Sequence, residues 1–251
     1  NANGGWQVTL GGQVSVVGSV VENNAGIGGE NGRAVQGLDE FDALSTLTVE
    51  DSIVRGNGGN GLSVRAWATA VVGDTAFAGN GTAGMRVFND VGAPALAVAE
   101  GSAFACNALD GAVVANGSLV DLGGGPFASD GGNAFSGNGA GGAGFDLRNV
   151  SGNPVAAAFG QWDGCGAGAV CNEAAVLAGD VRDAGAGVAI SPAVAAAGLG
   201  LPLVTRVEPQ RGRAGELVWI HGAGFDAVAG YGGTDCLDPG EANSCVPLRG
   251  N

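Results

Sequence analysis

Five short blocks of this chain close on the same corner: "SVVENN" at Asn24, "SIVRGN" at Asn57, "TAFAGN" at Asn80, "SAFACN" at Asn107 and "NAFSGN" at Asn138. The last four asparagines follow one another at intervals of 23, 27 and 31 residues. A base period of about 23 residues, lengthened by loops of about four and eight, marks a solenoid whose units stack on a shared core.

Each unit carries three short segments with apolar residues at every second position. The first holds the pairs Leu47/Val49, Ala70/Val72, Leu96/Val98 and Val120/Leu122. The second has one central apolar residue: Val21, Val54, Phe77, Phe104 or Phe135. The third follows a glycine and turns Leu62/Val64, Met85/Val87, Ala112/Val114 and Phe145/Leu147 inward. A period of two is the strand pattern, and segments this short and this punctuated by glycine leave no room for a helix. Three strands per turn, joined by right-handed crossovers, predict an all-β fold, a right-handed parallel β-helix of about 5–6 coils.

The asparagines explain the corners. A corner between strands leaves backbone donors and acceptors facing the interior, where an unpaired group is costly. An inward Asn pairs with them and with the Asn one coil away, so Asn57, Asn80, Asn107 and Asn138 are expected to form a buried ladder, with Asn also tolerating the left-handed conformation of a tight corner. Neighbouring glycines supply positive φ.

Composition limits the rest. The 51 glycines keep no three-residue period, which excludes collagen, and the recurring Val, Leu, Ile and Phe exclude a disordered tail. All ten basic residues are Arg, against 24 carboxylates, for a net charge of -14. Such a surface repels nucleic acid, anionic lipid and polyuronates unless a local patch reverses the sign. No apolar run reaches the ~18 residues of a membrane span, so no membrane insertion is expected. The chain opens "NANGGWQV" without Met and reads as an internal or mature segment. Cys165 and Cys171 bracket "CGAGAVC", and Cys236 and Cys245 bracket "CLDPGEANSC", spacings that suit two local disulfides in an exported protein better than a zinc site. Cys106 is then left free, as a small buried hydrophobe.

The stretch "VDLGGGPFASDGGNAFSGNGAGGAGFDLRNVSGNPVAAAFGQWDG", 120–164, resembles the final coils of secreted bacterial β-helix proteins of the pectin-lyase-like fold. The resemblance covers about residues 5–165. Further on, "VTRVEPQRGRAGELVWIHGAGFDA", 204–227, resembles the opening of an IPT/TIG immunoglobulin-like domain at Val207, Pro209, Gly212, Gly215, Val218, Ile220, Gly222, Gly224 and Phe225. Only 47 residues run from 205 to 251, about half of a ~100-residue sandwich, so a partial domain is expected. The expected organisation is a β-helix over 1–165, then over 166–203 a disulfide loop, a short helix from Glu173 to Val181 and a linker read in "ISPAVAAAGLGLP", then the first part of an immunoglobulin-like module over 204–251. His221 in that module is read as structural, having no Ser, Cys or acid beside it.

The pectin-lyase-like resemblance also implies what an enzyme would need. Lyases of that fold use an Arg or Lys base beside carboxylate-bound calcium, and the hydrolases combine several Asp with Gly-His-Gly and Arg-x-Lys. This sequence has no Lys, no Gly-His-Gly and no Asp-Asp pair; "QWDG" at 161 and "RVEP" at 206 echo the lyase motifs only faintly. No catalytic residue is assigned. No cofactor is expected: Asp39, Glu40 and Asp42 are read as a solvated acidic loop, and calcium bound by them is the lesser alternative.

A binding surface is offered instead by the outward residues of the third strands. Ser63, Arg65 and Trp67 on one coil, with Arg86 and Phe88 on the next, would meet solvent, and coils ~4.8 Å apart bring Arg65 against Phe88 with Trp67 nearby. Arg65, Trp67, Arg86 and Phe88 are therefore the candidate carbohydrate-binding residues; in the alternative, the loop 89–95 folds over them. The expected function is a secreted or bacterial cell-surface component without catalysis, monomeric or part of a longer multidomain chain, acting in adhesion or in binding a polysaccharide or cell-surface glycan. The alternative is a polysaccharide lyase or glycoside hydrolase.

Overall fold

The computed structural model describes residues 4–8, 12–31, 44–89, 94–139, 144–163, 171–195, 203–208, 217–223 and 246–249. The chain winds through successive coils of three strands. The first coil is β1 (Gly4–Val8), β2 (Gln13–Val17) and β3 (Val20–Glu22), and the second is β4 (Ile27–Asn31), β5 (Ser45–Glu50) and β6 (Ile53–Arg55). The third and fourth are β7 (Leu62–Val64), β8 (Ala68–Gly73), β9 (Ala76–Ala78) and β10 (Met85–Phe88), β11 (Leu96–Glu100), β12 (Ala103–Ala105). The fifth and sixth are β13 (Ala112–Ala115), β14 (Leu119–Asp121), β15 (Ala134–Ser136) and β16 (Leu147–Val150), β17 (Val155–Ala156), β18 (Gln161–Trp162). Helix α1 (Glu173–Gly179) precedes a seventh coil of β19 (Val181–Asp183), β20 (Val188–Ala189) and β21 (Val194–Ala195). Every third strand pairs in parallel, giving three seven-stranded sheets: sheet A from β1 to β19, sheet B from β2 to β20 and sheet C from β3 to β21. The fold is a right-handed parallel β-helix.

It runs further than expected, through Ala195 rather than residue 165, and has seven coils rather than 5–6. The last coil escaped the repeat because its strands are two or three residues long and its Ala-rich sequence resembles a linker. Asn172 caps α1 by accepting from Ala175 N, and buried Val176 anchors the helix to the core. Beyond the coils, β22 (Leu203–Glu208), β23 (Leu217–Ala223) and β24 (Val246–Arg249) form a three-stranded antiparallel sheet. It carries Val207, Val218, Ile220 and His221, while Phe225 lies outside the described residues. Among the described residues no helix is long and apolar enough to cross a membrane.

The core is a column of rings. Phe77 stacks on Phe104 at 5.2 Å between centroids, Phe104 on Phe135 at 5.1 Å, and Phe135 on Trp162 at 4.5 Å. All four are fully buried. Sheet B turns Ala70 and Val72 inward in the coil of Phe77, Ala97 and Ala99 in that of Phe104, and Val120 and Leu122 in that of Phe135. This corrects the expected inward pair Leu96/Val98, which lies one residue out of register and faces outward. Both alternations of "LAVAE" are apolar, so the period-two pattern by itself does not fix which of them faces the core.

A carboxamide ladder lines the corner between sheets C and A. Asn24, Asn57, Asn80 and Asn107 each donate Nδ2 to Oδ1 of the next Asn, ending on Asn138, at 2.9–3.0 Å. Each of these four also donates its backbone N–H to the same oxygen. Nδ2 of Asn57, Asn80, Asn107 and Asn138 reaches the carbonyls of Val21, Val54, Phe77 and Phe104. The left-handed conformation falls on the residue before the ladder Asn, namely Asn23, Gly56, Gly79, Cys106 and Gly137, rather than on the Asn itself. A second glycine column arises from crowding: a Cβ on Gly84 would stand 2.8 Å from Gly111 O and 2.9 Å from Asn107 Nδ2.

The opposite corner, between sheets B and C, carries a second ladder. Backbone N–H of Ser19, Ser52 and Thr75 donates to the side-chain oxygen of Ser52, Thr75 and Ser102, and Ser102 N donates to Asn133 Oδ1. The long loop of the fifth coil is held differently, by the fully buried Asp121 carboxylate, which accepts from backbone N of Gly123, Gly125, Phe127 and Ser129. Phe104→Ala should open a cavity within the ring column and cost about 3–5 kcal/mol in chemical denaturation, where a loss below about 1 kcal/mol would contradict its buried placement.

Candidate functional site

The outward face of sheet A gathers most of the arginines of the β-helix. Register places Ser63, Arg86, Val113, Arg148 and Arg182 in one row across five coils. A second row runs from Phe88 through Ala115 to Val150. The Arg86 guanidinium lies 4.5 Å from the centroid of Phe88, and that of Arg65 lies 5.3 Å from the same ring. Further along, Arg148 and Arg182 approach the Phe145 ring at 5.6 and 5.9 Å. Two aromatic rings thus each carry two guanidiniums.

Three of the four candidate residues, Arg65, Arg86 and Phe88, therefore meet as a cluster. Trp67 stands apart in the following turn, half-buried at φ 60°, without a ring contact to Phe88. Ser63, expected in solvent beside them, is buried, because Asn60 from the corner closes over it and donates Nδ2 to its hydroxyl at 3.0 Å. Phe145, expected inward, lies two residues out of register. Leu147 pairs with Ala112, so Asp146 continues the glycine column and Phe145 becomes a half-buried platform for arginine. Of the loop 89–95, positions 90–93 lie outside the described residues, as do Asp39, Glu40 and Asp42.

The charges on this face are only partly balanced. Arg148 pairs with Asp110 at 3.0 Å, whereas exposed Arg86 and Arg182 have no carboxylate partner among the described residues. On sheet C, by contrast, Arg55 is neutralised by Glu22 at 2.8 Å. Arg148 and Arg182 are also direct cross-strand neighbours, a like-charge placement that costs stability.

A second cluster sits where the carboxamide ladder stops. Asp146, Asp163 and Asp180 bring their carboxylate oxygens within 4.8 Å of one another. Asn138 Nδ2 donates to Asp146 Oδ1 at 2.7 Å, and Gly137 N donates to Asp163 Oδ2 at 2.6 Å. Asp146 thus takes the acceptor role of the next rung. Burial, then the negative charges of Asp163 and Asp180, push its carboxyl up from 3.8 to about 8, against the lowering pull of Asn138. An all-oxygen donor set of this kind suits a hard divalent cation, or else a shared proton. Sequence reading missed it because its members come from both ends of the sixth coil and the start of the seventh, and none lies in an acidic run.

Cys106 and Cys171 are disulfide-bonded, which corrects the expectation of a free, buried Cys106. Cys106 is half-buried and takes φ 53° at the corner position that is glycine in three other coils, so cross-linking explains it better than packing. Cys165, Cys236 and Cys245 lie outside the described residues, and with them the expected pairings.

Comparison with protein-family models, with curated proteins and with solved structures gives no match for this chain.

Because the folded-state pKa of Asp146 is raised, the stability that its neutral form contributes is fully present below 3.8 and is lost as pH rises through about 8. Asp146→Asn keeps an acceptor for Asn138 without the charge. In thermal melts from about pH 5 to pH 9 the variant should gain on the parent as pH rises. Parallel curves would contradict the assignment.

Proposed function

We propose that this chain is a non-catalytic, secreted or cell-surface β-helix protein that binds anionic carbohydrate along the outer face of sheet A. The observation that carries the reading is the row of Arg86, Arg148 and Arg182, flanked by Phe88 and Phe145 with their stacked guanidiniums, on a chain of net charge -14. A cation on a ring face keeps its N–H edges for planar, bidentate acceptors, and arginine suits carboxylate and sulfate geometry. The unfavourable Arg148–Arg182 adjacency is relieved by an anion spanning both. Ring stacking on bare aromatics is the weaker mode, since both rings already carry arginines.

The regular coils support kinship with the pectin-lyase-like β-helices, and the sheet of β22–β24 lends itself to an IPT/TIG-like module; this reading takes both as the setting of a surface protein. The disulfide-bonded cysteines favour an extracytoplasmic location.

A glycan array spanning neutral, carboxylated and sulfated polysaccharides, run beside an assay for cleavage products, tests the reading. Binding should be confined to the anionic members and weaken with salt, without products. Arg86→Ala and Arg182→Ala should each weaken it about tenfold, about 1.4 kcal/mol. Equal binding of neutral glycans would move recognition off the arginine row, and cleavage would establish the lyase or hydrolase alternative.

A further inference from the structure

The arginine row of sheet A is interrupted, and the interruption limits what can lie along it. By register the row reads Ser63, Arg86, Val113, Arg148 and Arg182, one residue for each coil from the third to the seventh. Neighbouring strands lie ~4.8 Å apart, so the row runs along the axis of the β-helix and across its strands.

The three charges are not equivalent. Nε and Nη2 of Arg148 both donate to Asp110 Oδ1, at 3.1 and 3.0 Å, and that carboxylate is buried. The charge of Arg148 is balanced within the protein. Arg86 and Arg182 are exposed, with their guanidiniums 4.5 Å from the centroid of Phe88 and 5.9 Å from that of Phe145. A ring attracts a cation without neutralising it. Arg86 belongs to the fourth coil, and Arg182, from the seventh, leans back onto a ring of the sixth. Two uncompensated cations therefore stand between two and three coils apart, about 10–14 Å.

The floor between them is apolar. Val113 separates Arg86 from Arg148 in the row, and the parallel row holds Phe88, Ala115 and Val150 over the same coils. Val113 is half-buried, and Val150 is exposed. An anionic group set over Val113 and Ala115 would lose water and find no partner. An uncharged unit that turns an apolar face downward is favoured there.

This spacing discriminates among anionic polymers. In an extended chain of pyranoses, each unit advances by nearly the distance between coils. A homopolymer of uronate carries a carboxylate on every unit and sets some of them over the apolar floor. A chain whose acidic units are separated by neutral ones can bring its charges to Arg86 and Arg182 and lay the neutral units between.

On the basis of the anionic-carbohydrate reading of this face, we propose that the ligand is a linear heteropolysaccharide with acidic units spaced by neutral ones, lying along the helix axis and bridging Arg86 and Arg182. Both cations are fixed on one rigid sheet. A chain long enough to reach both engages the second as an intramolecular step, whereas a shorter one engages either alone.

The test is calorimetric titration of the whole chain with size-graded oligosaccharides of hyaluronan, in which glucuronate alternates with a neutral N-acetylated sugar, beside galacturonate oligosaccharides of equal length. The hyaluronan hexasaccharide should bind about tenfold or more tightly than both the galacturonate hexasaccharide and its own disaccharide. Arg86→Ala and Arg182→Ala should each remove the gain with length while weakening the disaccharide by no more than about twofold. Val113→Arg, which puts a cation on the floor, should strengthen galacturonate binding and narrow the preference. Equal affinity for the two hexasaccharides, or a gain with length that survives both Arg→Ala variants, would overturn the proposed spacing while leaving anionic binding on this face intact. Binding of neither polymer would overturn the reading of the face and the inference together.

Discussion

Everything in this molecule is arranged around one problem: a strand that turns a corner inside a solenoid buries backbone groups that the next strand cannot satisfy. The Asn side chain solves it by offering two donors and an acceptor from one planar group. At each rung Oδ1 accepts from the coil before, while Nδ2 donates to the coil after and to a carbonyl. The bonds run in one direction and are shielded from water, conditions under which neighbouring bonds reinforce one another. Ladder geometry then dictates the rest of the corner. The residue before each Asn takes the left-handed conformation, and the glycine four residues later has no room for a side chain.

A directional ladder must end differently at its two ends. At the C-terminal end an acceptor is needed, and the Asp146 carboxyl supplies it at the cost of a buried, crowded acid held up at about 8. At the N-terminal end of the described ladder stands Asn24, which donates both its backbone N–H and its Nδ2 to Asn57 Oδ1. The hydroxyl ladder of Ser19, Ser52, Thr75 and Ser102 does the same work at the second corner with a smaller group, each hydroxyl of the last three donating back to the carbonyl two residues earlier. The two corners satisfy the buried polar groups of the turns, and the outward face of sheet A carries the arginine row, in which Arg148 is tied to Asp110 while Arg86 and Arg182 have no carboxylate partner among the described residues.

The legible parts of the sequence were those where one residue type repeats in one local role. The Asn corner, the Phe column and the glycine before each third strand all recur at the coil period, and the coil follows from them. Registers were lost wherever both alternations are apolar, as at Leu96/Ala97, or where a loop shifts the count, as at Phe145. The arginine row could not be read at all. Arg148 and Arg182 are separated by α1 and two strands, and only the pairing of β16 with β19 makes them neighbours. The acidic trio shares this origin. The small residue that opens each Asn-terminated block was visible, but its hydroxyl had no assigned task until the coils were stacked.

Site-resolved exchange of the side-chain carboxamide protons tests the ladder most directly. Nδ2 protons of Asn57, Asn80 and Asn107, each hydrogen-bonded to a carbonyl and to the next Oδ1, should exchange orders of magnitude more slowly than free carboxamides, and only together with opening of the coils they join. Exchange at the rate of an exposed asparagine, in a chain whose strand amides remain protected, would contradict the claim that these corners hold the β-helix in register.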